Sequence, residues 1–235
     1  MPSYVDRDGY FKFMVVALLF LLLAFDRDLA MIYLLIMLGD YIWFKSDNFI
    51  SFKFRGTKFS ASQVYIESAA ALGAFLAIST LAINYFSPTA VSDGIVTGTQ
   101  SIFQLLATST PILKGSKILT LLGWGVIVPI IETQFFNGRL LEGIATYSEK
   151  LTGKSISLKR FSTDLFISMF VVAAMFTLFH ITAKGLESLP LLITFIFSII
   201  SSILVIRHQE LRGAIAIHIA TNSLAVAASL GWLGL

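Results

Sequence analysis

Apolar segments long enough, or nearly so, to cross a bilayer follow one another from residue 11 to residue 233, and they leave few folds open to this chain. They run at about 11–25, 29–44, 63–86, 117–146, 162–183, 189–206 and 213–233. A helical span takes roughly 20 apolar residues, and within lipid every backbone N–H and C=O must find its partner inside the protein. Helices meet that demand one segment at a time. The first two segments are short and read as a tight hairpin closed by Asp26, Arg27 and Asp28. Composition agrees, with 56% hydrophobic and only 13% charged residues, where a soluble domain carries about 25% charged. The expected fold is an all-α polytopic membrane protein of about seven transmembrane helices, forming a single membrane domain over residues 1–235.

The stretch 88–116, rich in Thr, Ser and Gly around an apolar centre, reads as a loop, a surface helix or an eighth span. Charge separates these options. With seven spans, thirteen of the 17 Lys and Arg residues fall on the side of the N-terminus and four on the other; with eight, the split is nine to eight. The positive-inside rule favours seven, with the N-terminus and the 147–160 loop cytoplasmic and the C-terminus outside. The expected location is the cell (plasma) membrane. Asp6 and Asp8 stand among the early bases and no small-residue cleavage site follows the first segment, so that segment reads as a retained helix. The net charge of +3 is a topology signal, since the bases lie between apolar spans; no nucleic-acid partner is expected. The absence of cysteine excludes disulfides, thiolate nucleophiles and cysteine–metal sites. Inverted halves and paired broken helices are not visible, which argues against a secondary transporter.

Most polar residues within the segments have a plain reading. Asp40 and Lys45 lie near the end of the second segment, where snorkelling is easy. Glu67 stands one turn into the third and Asn84 near its far end, so both are expected at an interface. Trp43, Trp124 and Trp232 read as interfacial or packing residues, and the Phe-rich helices as lipid-facing or core surface. Four residues resist this treatment. Glu132 lies in "VPIIETQFF", about 10 Å or more from either end of its segment at roughly 1.5 Å per residue. A charge at such depth costs about 2.5–3.5 kcal/mol or more. His180 closes "FTLFH", and His218 and Asn222 stand four residues apart on one helical face in "AIHIATN".

Alone, each would be a satisfied buried polar group; together they suggest a constellation. A buried carboxylate suits a general base, imidazoles orient water or shuttle protons, and an Asn amide suits an oxyanion hole. Glu with two His also suits zinc, so a metal stays in view. H-E-x-x-H, Gly-x-Ser-Gly and Gly-x-Gly-Asp are all absent. Water activated by Glu and His is the hydrolytic option that remains.

On these residues the chain resembles the CAAX protease and bacteriocin-processing (CPBP) family, which includes the type II CAAX prenyl endopeptidases. The family's motifs are E-E-x-x-x-R, F-x-x-x-H and H-x-x-x-N on three membrane helices. Here the second runs from Phe176 to His180 and the third from His218 to Asn222, both intact. In the first motif Glu132 is kept, while Thr133 and Asn137 stand where the family has Glu and Arg. The resemblance covers about 117–233, the expected CPBP-like catalytic core. It implies a glutamic-type intramembrane endopeptidase with no metal or other cofactor. Glu132 and His180 would activate water, and His218 and Asn222 would stabilise the oxyanion. Thr133→Ala is expected to cost much less than the loss of Glu132 or Asn222. The implied partner, besides the lipid bilayer, is a membrane-associated peptide or protein: a prenylated C-terminal peptide, a bacteriocin leader or another membrane protein. The alternative is an inactive relative that binds a peptide or partner helix in a scaffold or immunity role. If each helix crosses simply, His180 lies near the outer end of its span and His218 near the inner end of its own. They meet only through strong tilt or a dip of the "RHQELRG" connection into the bilayer.

Overall fold

The structure, a computed structural model, describes residues 59–86, 117–141, 143–145, 163–184 and 188–233. Every regular element among them is helical. Helix α1 (Ala61–Phe86) is followed by one run of changing pitch: α2 (Lys117–Thr120), π1 (Leu121–Ile127), α3 (Val128–Thr133) and π2 (Gln134–Leu140). Then come α4 (Thr163–Lys184), α5 (Ser188–His208) and α6 (Arg212–Ser229). These match five of the expected segments. The segments 11–25 and 29–44, the stretch 88–116 and the 147–160 loop lie outside the described residues, and the count of seven spans rests on the sequence. Among the described residues, α1 and Leu189–His208 of α5 are long and apolar enough to cross a membrane, and Leu165–Ile181 is a shorter apolar helix.

The start of α1 is written in its sequence. Ser60 and Gln63 form a reciprocal capping box: Gln63 N–H donates to Ser60 Oγ at 3.3 Å, and Ser60 N–H to Gln63 Oε1 at 3.0 Å. At roughly 1.5 Å per residue the 26-residue helix spans about 39 Å, enough for the hydrocarbon core.

Polarity is distributed as lipid requires. Tyr65, Ile66, Ile78 and Leu81 of α1, and Phe166, Ile167, Phe170 and Val171 of α4, point outward. Ser68, Ser79, Glu132, Thr133, Asn137, Thr194, Ser198, Ser201, Ser202 and His218 are buried. An apolar exterior around a partly polar interior is costly in water and favourable in a bilayer. Small hydroxyl residues on the inner face of α5 also let neighbouring helices approach closely.

Helices α5 and α6 are the centre of the packing. α5 lies on α4, α1 and π2; α6 lies on π1, α3 and α1. The turn between them is tucked inward, with Gln209 and Leu211 buried and Gln209 in the left-handed region at φ 57°. Arg212 closes it by a two-pronged bond to Glu210, Nη2–Oε2 being 2.6 Å. Glu67 also has a partner the sequence did not disclose. Arg207 grips its carboxylate through Nε and Nη2, and His208 Nε2 lies 2.9 Å from Oε2. This three-residue knot ties α1 to the end of α5. Asn84, as expected, is exposed.

Candidate functional site

Proline and π-helical pitch prepare the wall that faces α6. In π1, Val128 N–H donates to Gly123 O, five residues back, so it does not serve Trp124 O as an α-helix would require. The next donor along is residue 129, which is proline and has no N–H. Trp124 O is thereby left to the neighbouring helix, and Asn222 Nδ2 donates to it at 3.3 Å. The same proline cannot supply Gly125 O, which accepts from Ser223 Oγ at 3.1 Å. A Cβ on Gly125 would lie 3.0 Å from that Ser223 oxygen, so glycine permits the approach. The site asparagine is thus held by a carbonyl that its own helix has given up.

Two turns further on, α3 carries Glu132 and Thr133, only 4% and 1% exposed. Both face one imidazole. His218 Nε2 lies 3.5 Å from Glu132 Oε2, and His218 Nδ1 lies 2.9 Å from Thr133 Oγ1. The Thr that replaces a family carboxylate is therefore in contact with a site histidine. Asn137, in place of the family Arg, donates from Nδ2 to Ser202 Oγ at 2.9 Å, and both residues are buried. One negative and one positive charge are absent together, so neither leaves an unpaired ion in the interior, where such a charge costs several kcal/mol.

His180 is half-buried, with Nδ1 2.8 Å from Phe176 O in the preceding turn. The F-x-x-x-H spacing thus anchors the imidazole on its own helix and stacks it near the Phe176 ring, 4.4 Å between centroids. Phe176 reaches His218 as well, at 5.8 Å, and Phe197 lies 4.9 Å from His218. Some of the phenylalanines read as lipid-facing therefore wall the site.

A cavity of about 30 Å³ is lined by Phe75, Phe176, His180, Ile193, Thr194, Phe197, His218, Thr221 and Asn222. It has room for about two waters. The two histidines do meet around one space. Three of the four expected residues line this cavity. Glu132 adjoins it through His218, whose Nε2 is 3.5 Å from its carboxylate. Among the described residues, no three His, Asp or Glu side chains group as a metal site would require.

Residues 114–224, just under half of the chain, match the family model described as type II CAAX prenyl endopeptidase Rce1-like. No curated protein and no solved structure matches the chain. The matched family is one of membrane-embedded CAAX protease-type proteins, and the matched stretch contains Glu132, His180, His218 and Asn222. Over residues 114–224 this chain is similar to the Rce1-like family, which is consistent with the CPBP resemblance.

Proposed function

We propose that the protein is an intramembrane endopeptidase that hydrolyses a peptide bond in a membrane-associated protein or peptide, using water activated by Glu132 and His180. The observation that carries this reading is a buried carboxylate set against a buried imidazole, His218, on the wall of a cavity shared with His180 and Asn222. In this scheme the carboxylate removes a proton from water as the oxygen attacks the scissile carbonyl. The carbonyl oxygen, now anionic, is met by the His218 N–H, which Glu132 releases as it takes up the proton, and by the second N–H of the Asn222 amide, whose first is on Trp124 O. His180, anchored at Nδ1, turns its other nitrogen to the water and orients it, and the protonated Glu132 returns its proton to the leaving amine. A prenylated C-terminal peptide is the first substrate to try, given the description of the matched family.

The test is cleavage of a prenylated reporter peptide by the purified full chain in liposomes. Turnover supports the reading, and its absence across prenylated and unprenylated peptides removes it. A protein that binds a peptide without cleaving it is the second reading, favoured by the neutral Thr133 and Asn137 in the first motif. Peptide retained by a non-cleaving wild type would establish that reading.

Elemental analysis of the purified protein should find no stoichiometric zinc. The expectation rests on the chemistry implied by the family motifs. One zinc per chain, lost with activity in His218→Ala, would replace the Glu/His scheme by a metal-dependent one.

A further inference from the structure

We propose that the Thr133 hydroxyl selects the tautomer of His218, donating to Nδ1 so that the ring presents Nε2–H to Glu132. Residues adjacent in sequence lie about 100° apart around a helix, yet Glu132 and Thr133 straddle one ring and address its two different nitrogens. Their roles are linked. An ionised carboxylate only accepts hydrogen bonds, so a base-competent Glu132 needs a proton on the nitrogen it faces. In a neutral imidazole that proton on Nε2 leaves Nδ1 as a lone pair, and a buried lone pair requires a donor.

Thr133 is equipped to be that donor. Thr80, Thr177, Thr194 and Thr221 each return the hydroxyl proton to the carbonyl four residues back, at 2.8 Å in every case. Thr133 instead reaches across to α6, 2.9 Å from Nδ1, and keeps its proton for that contact. With the opposite tautomer, Nε2 would turn a lone pair towards Glu132 and the acid would have to be protonated, which removes the base. The residue that stands for a lost carboxylate thus acts as a positioning residue: it keeps its neighbour ionised by way of a shared histidine.

The catalytic part of this inference rests on the proposed hydrolysis; the hydrogen-bond part does not. The experiment is ¹⁵N spectroscopy of the full chain with labelled histidine, alongside steady-state cleavage. The chain has three histidines, and the His218 signals are assigned by their loss in His218→Gln. In wild type at neutral pH, His218 should be a single neutral tautomer with the proton on Nε2. Thr133→Val keeps the side-chain shape and removes the donor. It should mix the tautomers and lower kcat about tenfold with KM unchanged, the scale of one hydrogen bond. Thr133→Ser should restore both readouts. A proton on Nδ1 in wild type, an imidazolium there, or an unchanged tautomer in a folded Thr133→Val would each overturn the proposal. The wild-type spectrum decides even if Thr133→Val fails to fold. An inactive wild type with the expected spectrum would uphold the hydrogen bond and reject the hydrolysis alone.

Discussion

Glu132→Gln should insert and fold as wild type does and lose cleavage by about 10²-fold or more, the usual scale for removing a general base. Gln keeps the size of the side chain and its place 3.5 Å from His218 Nε2. Only basicity is lost. Protein yield and thermal stability in detergent check the fold, and reporter cleavage in liposomes checks the chemistry. Retained cleavage would remove Glu132 from the reaction. A rise in stability with no wild-type activity to lose would mean that the carboxylate is a buried liability in a binding protein.

Asn222→Ala should cost about 10²–10³ in turnover, as for one oxyanion donor. The asparagine also holds Trp124 O, so a structural loss must be told apart from a chemical one. Ser223→Ala supplies the control, because Ser223 makes the neighbouring bond to Gly125 O and has no assigned part in the chemistry. It should lower stability by about 1 kcal/mol, the worth of one hydrogen bond, and leave kcat within a few-fold of wild type. If the two variants lose turnover equally, Asn222 is a helix tie and the oxyanion role falls.

Much of this site was legible before any coordinates. Glu132 announced itself by its misfit, since nothing in an apolar helix accounts for a carboxylate at mid-depth. Spacing of four placed His218 with Asn222 and Phe176 with His180, because helix periodicity is local and the sequence records it directly. Pairings between distant segments were not legible. That Glu132 meets His218, or that Glu67 is held by Arg207 and His208 about 140 residues away, depends on how helices pack, and periodicity is silent on packing. The contact of Thr133 was hidden for the same reason, since its hydroxyl finds a partner 85 residues on. The π pitch escaped too, although Pro129 after two glycines was a sign that the helix could not satisfy its own carbonyls there.

The carbonyls left open by Pro129 bear on the order in which the protein is assembled. Trp124 and Gly125 are synthesised 98 residues before Asn222 and Ser223. Until they arrive, Trp124 O lacks the donor that Asn222 supplies and Gly125 O the one that Ser223 supplies. A chain stopped before Arg212 should therefore be less stable than one that carries α6. Helix α6 is the element that seals the site, and its arrival is what completes the pocket.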